Sequence, residues 1–220
     1  MDSQTTVGDS YAEVCLQLST LILGHPPPFI YVHDPLTPRV ATSTIVSALY
    51  RLKDSSGLNL AIAPINAISC FTPRLLYDTV LNALAGWSPN WEDGCANWSG
   101  PLEGTSQRFN ESFDGFTHGL RAIWNELLAR QPDPSAVASR MAKATAEQSR
   151  LVLLLENAER LKETMPDLLA PLSRIAELVS ISGCFAWSSR ACLLAHLEDH
   201  SMNRRGTSMT FHGCQQNTLS

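Results

Sequence analysis

The sequence predicts an α/β protein, with a parallel β-sheet between two layers of helices. Three observations carry that expectation. Runs that are apolar throughout, such as LVLLL at 151–155, suit strands covered on both faces. Segments with helical spacing separate these runs, the alternation that builds βαβ units. A chain of 220 residues with 44% hydrophobic and 17% charged residues can bury one sizeable core, or one core and a small extension.

Four segments read as strands: 29–32 (FIYV), 58–63, 151–155 and 178–186, the last interrupted by Ser-Ile-Ser-Gly. The helices are better marked. In FTPRLLYDTVLNALAG, Thr72 suits a cap, Pro73 the first turn and Gly86 the end, with Leu76, Val80, Ala83 and Leu84 as one stripe. A second helix follows Ser112, where Phe113, Phe116, Leu120, Ile123, Trp124 and Leu127 recur at helical spacing despite Gly115 and Gly119. After 155, Thr164-Met165-Pro166-Asp167 reads as a capping box. Leu168, Leu172, Ile175 and Val179 then continue a stripe that Pro171 must start or kink. Two segments read as irregular, 88–108 and 130–149, the second in part an Ala-rich exposed helix.

Composition excludes several functions. A net charge of −5 argues against a broad basic surface for nucleic acid, so any DNA contact must be local or shared. No run approaches the roughly 18 apolar residues of a membrane span, and MDSQTTVGDS lacks the basic and apolar regions of a signal peptide. The cytosol or nucleus is the expected compartment. Six scattered cysteines without a C-x-x-C pair indicate neither a zinc knuckle nor a disulfide framework. His196 and His200 stand four apart, without the H-E-x-x-H order, and read as a solvated face. No metal site and no catalytic residue is expected, and no G-x-S-x-G elbow or triad is present.

A strand feeding a loop that opens a helix is a usual place for phosphate, and FIYVHDPLTPRVATSTIV has that form. A working P-loop needs glycines, inward N–H groups and a lysine. Here Pro35 and Pro38 each remove a donor, and Asp34 puts a negative charge where polyphosphate would sit. Thr37 and Pro38 make a good helix start by themselves. Arg39 offers charge and Thr42 or Ser43 a hydroxyl for magnesium, but arginine does not readily replace a phosphate-gripping lysine. In RLVLLLENAERL, Glu156 stands where a metal-holding acid would be and Asn157 where a second acid would activate water. Asparagine cannot take that proton, so hydrolysis by this chain alone is not expected. The candidate cofactor-binding residues are therefore Thr37, Pro38, Arg39 and Thr42 of a degenerate Walker A region, with Glu156 and Asn157 as a Walker B-like pair. ATP and Mg are the cofactors such a site would take, and neither is the expected outcome.

Together these segments resemble the origin recognition complex subunit 5 family in its AAA+ domain. The resemblance rests on PPFIYVHDP before a helix, ISCFTPRLLYDTVLNAL, EDGC, ESFDGFTHGL and LVLLLENAERLKETMPDLLAPLSRIAEL, in order and spacing, over roughly 11–178. CFTPRLLYDTVLNAL and ENAERL are its most specific parts. It implies a P-loop NTPase-like AAA+ fold with a five-stranded parallel sheet, of which four strands are visible. It also implies a nuclear subunit of the hexameric complex that initiates DNA replication, with the other subunits as partners and origin DNA bound only within the complex, away from membranes. Val32 and Thr37 replace glycines of the ATP-binding pattern, and Pro38 replaces the lysine. The expected domain is 1–187; 188–220 reads as a divergent tail, disordered or the product of a mis-spliced gene model, leaving the sheet incomplete at the C-terminus. The expected function is a non-catalytic scaffold subunit; the alternative is an ATP-binding switch or weak ATPase using an unorthodox site.

Overall fold

The computed structural model describes residues 7–24, 27, 29–34, 37–56, 59–92, 94–100, 108–129, 149–179, 183–189 and 206–210. Among the described residues five parallel strands form one sheet: β1 Phe29–His33, β2 Asn59–Asn66, β3 Ser149–Glu156, β4 Gly183–Ser189 and β5 Gly206–Thr210, in the order β2-β3-β4-β1-β5. The helices are α1 Val7–Leu23, α2 Pro38–Ser56, α3 Pro73–Ala85, α4 Phe113–Ala129, and three short ones, α5 Glu159–Thr164, α6 Pro166–Ser173 and α7 Ile175–Val179.

Alternation along the strands sorts the core into two layers, because successive side chains point to opposite faces. Ile30, Val32, Leu60, Ile62, Val152 and Leu154 pack with Leu18 and Ile22 of α1 and Ile45 and Leu49 of α2. Tyr31, Ala61, Ala63, Ile65, Leu151, Leu153 and Leu155 pack with α3, α4 and the short helices. Seven of the eight residues of β3 are buried, as a central strand under two helical layers requires. Pro64 lies on β2, an outer strand of the sheet, where a residue without an N–H is tolerated and discourages further pairing.

Helix α3 follows its sequence signals. Thr72 Oγ1 accepts from Leu75 N–H at 3.2 Å, Pro73 opens the helix, and Gly86 ends it in the left-handed region at φ 69°. Gly119 in α4 has a packing reason: a Cβ there would meet the Leu81 side chain of α3 and Phe109 Cβ at 3.0–3.1 Å. The two helices need that closeness.

Four expectations change. The strand expected at 178–186 is a helix to Val179 and a strand only from Gly183 to Ser189; the stripe of Ile175 and Val179 had already belonged to the helical layer. The capping box at Thr164 does not form, because Thr164 ends α5 and its hydroxyl donates to Arg160 C=O at 3.0 Å. The continuous helix through Leu168 to Val179 is two short helices broken at Arg174. Finally, a fifth strand is present after 187: β5 pairs in parallel with β1 throughout its length. A strand of polar composition such as GTSMT is held by backbone pairing, which residue type does not announce. Of the tail expected at 188–220, Ser188 and Ser189 end β4, and of the irregular segment expected at 130–149, Ser149 opens β3; residues 190–205, with His196 and His200, 211–220 and 130–148, where the Ala-rich helix was expected, lie outside the described residues.

Candidate functional site

The sheet order marks one place for a ligand. The chain leaving β1 travels to β2 at one edge, whereas the chain leaving β4 reaches β5 on the other side of β1. Connections that depart in opposite directions open a crevice beyond the carboxyl ends of the strands. His33, Asp34 and Thr37 stand there, followed by α2. In the same row of the sheet, Val32 pairs with Ser188, Ser188 with Glu156, and Glu156 with Asn66. The ends of β1 and β3 are thus one strand apart, about 10 Å.

The loop after β1 is tied up internally. Asp34 is only 3% exposed. Its Oδ1 accepts the Thr37 backbone N–H at 3.0 Å, and its Oδ2 accepts the Thr37 hydroxyl at 3.1 Å and the Tyr11 hydroxyl at 2.7 Å. The Tyr11 and Thr37 hydroxyl oxygens are also within hydrogen-bond distance of each other, so their two protons are shared over three contacts. The Thr37 carbonyl takes the N–H groups of Val40 and Ala41 at 2.9 and 3.0 Å. Thr37 therefore precedes α2 as expected, but its hydroxyl faces back to Asp34 rather than capping the helix. Burial pushes the Tyr11 phenol above its ordinary range; its bond to Asp34 and that carboxylate's charge add to the shift, and the Thr37 bond opposes it. The carboxylate occupies the helix start that an anion would favour.

The turn after β3 is built differently. Glu156 ends β3, half-buried, and its carboxylate makes no hydrogen bond or ion pair with another described residue. Asn157 adopts φ 55°, a conformation in which asparagine is enriched. Its amide Nδ2 donates to Asn66 Oδ1 at 3.1 Å, the same oxygen that accepts Ile68 N–H at 3.0 Å. Asn157 thus fastens the turn after β3 to the turn after β2. Arg160 and Glu163 pair on the exposed face of α5 at 2.8 Å, the solvated helix start expected of ENAERL.

The fold brings Thr37, the backbone of Pro38, Arg39, Glu156 and Asn157 to one edge of the sheet. Arg39 is exposed and its side chain makes no hydrogen bond or ion pair with another described residue. Thr42 lies one turn into α2 and is buried. Pro35 lies outside the described residues. Tyr11 was not legible as part of this site, since it stands 23 residues before Asp34 with no local signal joining them. Among the described residues no group of three or more His, Cys, Asp or Glu could hold a metal ion, and no helix is long and apolar enough to cross a membrane.

No family model matches the chain, and no curated protein matches it. Solved structures do. The structure of Drosophila ORC bound to DNA superposes with a TM-score of 0.61 at 18% identity, covering 94% of this chain and 43% of that one. The Aeropyrum pernix ORC1 protein in complex with DNA gives 0.54 at 14% identity, covering 94% and 45%. The Aeropyrum pernix ORC2 protein, in ADPNP–ADP complexes, gives 0.51 at 14% identity, covering 95% and 48%. This chain spans less than half the length of each. At such identities the likeness speaks to architecture alone: the chain shares with the matched parts of these ORC structures a parallel sheet flanked by helices on both faces.

Proposed function

We propose that this chain is a non-catalytic AAA+ subunit of the origin recognition complex, a nuclear scaffold for replication initiation that meets origin DNA only with its partner subunits. The observation that carries the non-catalytic part is the Asp34 carboxylate, buried in the loop after β1 and accepting the Thr37 N–H and hydroxyl. A triphosphate there would need backbone donors and neutralising charge. Pro35 and Pro38 have no N–H, the Thr37 N–H is spent, and the fixed carboxylate repels phosphate. These residues do not fit ATP. Without a bound γ-phosphate, Glu156 and Asn157 have no hydrolysis to support. The subunit role draws support from the fold shared with ORC proteins over 94% of the chain.

Calorimetric titration of the chain with Mg-ATP tests the first half: no saturable heat is expected. Micromolar binding that Arg39→Ala abolishes would replace this reading with a nucleotide switch built on Arg39, Thr42 and Glu156. Co-expression with the other origin-complex subunits tests the second half. The chain should co-elute with them on gel filtration, and a chain that elutes alone would remove the scaffold role.

A further inference from the structure

The loop after β1 lacks the residues that grip a phosphate, yet it surrounds an anion that the chain supplies itself. The Asp34 carboxylate is 3% exposed. The Thr37 backbone N–H reaches it at 3.0 Å, the Thr37 hydroxyl at 3.1 Å and the Tyr11 hydroxyl at 2.7 Å. Helix α2, 19 residues long, begins at the residue after Thr37, with its positive end toward the loop.

A carboxylate that only closed a local turn would need Thr37 and could leave its second oxygen to water. Here that oxygen also takes a hydroxyl from α1, 23 residues earlier in the chain, on a tyrosine that is itself 8% exposed. A phenol is costly to bury unless its hydroxyl finds a partner, so Tyr11 and Asp34 hold each other in place. A buried carboxylate met by several converging donors has the surroundings of a bound anion; the covalent link to the chain is the difference. Tyr11 stands two helical turns before Leu18 and packs in the same layer as Leu18 and Ile22 of α1 and Ile45 and Leu49 of α2. The bond to Asp34 thereby fixes the first half of α1 to the loop.

We propose that Asp34 is a built-in ligand: the Tyr11 hydroxyl and the Thr37 N–H and hydroxyl form a carboxylate-binding site, the Asp34 side chain fills it, and that occupancy straps α1 to the loop after β1. Once emptied, the site takes a small free monocarboxylate. The inference rests on the non-catalytic reading in taking no nucleotide to order this loop, and it names what orders the loop instead.

Asp34→Gly deletes the equivalent of one acetate ion. Asp34→Ala keeps the first side-chain carbon and deletes the equivalent of formate. The probes are sodium acetate and sodium formate, against sodium chloride at equal ionic strength, in thermal melts of the full chain followed by circular dichroism. Acetate should raise the melting temperature of Asp34→Gly by several degrees and saturate, as a ligand of the folded state does. Formate should do the same for Asp34→Ala, where acetate no longer fits. The wild type should respond to neither beyond chloride. Adding Tyr11→Phe to Asp34→Gly should weaken the apparent acetate affinity about tenfold. Where a variant folds too poorly to melt, its refolding yield from urea in acetate against chloride reads the same rescue. Absence of rescue in both variants would overturn the proposal, as would an acetate response shared by the wild type or one indifferent to Tyr11→Phe. Mg-ATP titration of the wild type separates the two readings: saturable nucleotide binding removes the non-catalytic reading, whereas failed acetate rescue without nucleotide binding removes this inference alone.

Discussion

The two turns at the carboxyl edge of the sheet, after β1 and after β3, begin alike and end differently. Each leaves a buried apolar strand and carries an acidic residue, Asp34 or Glu156, before a helix. Asp34 is buried and answers three donor groups. Glu156 answers none among the described residues. Its neighbour Asn157 does the structural work, holding a left-handed turn and a bond to Asn66. The difference teaches that an acid at a strand end is not one kind of feature: burial with matched donors makes it part of the framework, and half-exposure without them leaves it outside that framework.

The largest test of this contrast is Asp34→Ala. It leaves the Tyr11 hydroxyl and Thr37 N–H without their acceptor, and the expected loss is about 3 kcal/mol of unfolding free energy, read by urea denaturation. A loss under about 1 kcal/mol would erase the distinction between the turns.

Next comes Tyr11→Phe, expected to cost about 1.5–2 kcal/mol near neutral pH for a hydrogen bond to a charged group. Burial, then the Asp34 bond and charge, raise the Tyr11 pKa above 10.0. Its contribution is therefore complete below pH 10 and is lost as pH rises through the raised folded-state value. The gap between wild type and Tyr11→Phe should narrow in that alkaline window, and a gap that widens there would contradict the assignment.

Asn157 gives a smaller effect. Asn157→Ala at φ 55° should cost about 1–2 kcal/mol from backbone strain, plus the Asn66 bond. Asn157→Gly relieves the strain and loses only that bond, so it should melt above the alanine variant. The reverse order would mean that the asparagine amide, not the backbone, governs the turn.

The smallest expected effect is Glu156→Gln, within about 0.5 kcal/mol of wild type and without influence on Mg-ATP titration. A nucleotide signal that appears in wild type and vanishes in Glu156→Gln would show that this turn, and not the one after β1, holds the function.

Much of this was legible along the chain because the signals are local. Thr72, Pro73 and Gly86 bound α3 as written, and the six apolar positions after Ser112 describe α4. The missing glycines and lysine after β1, and the asparagine after Glu156, are likewise plain in the text. Helix α1 went unread, since Leu18 and Ile22 reveal a buried face only once β1 and β3 lie beneath them. The strand β5 was missed because Gly206–Thr210 has no apolar run, and its pairing with β1 spans more than 170 residues of chain. Residues 178–186 mixed a helix end with a strand, and apolar content alone cannot separate the two.

By itself, then, the amino-acid order determined most of the alternation of strands and helices, the two ends of α3 and a loop after β1 without glycine or lysine, since each depends on residues within a few positions of one another. Only the tertiary structure decided that Tyr11 closes over Asp34 and that β5 pairs beside β1. Those outcomes rest on which distant groups meet. Hydrogen bonding and burial are settled by proximity in space, and proximity across tens of residues is not written in any short stretch of the chain.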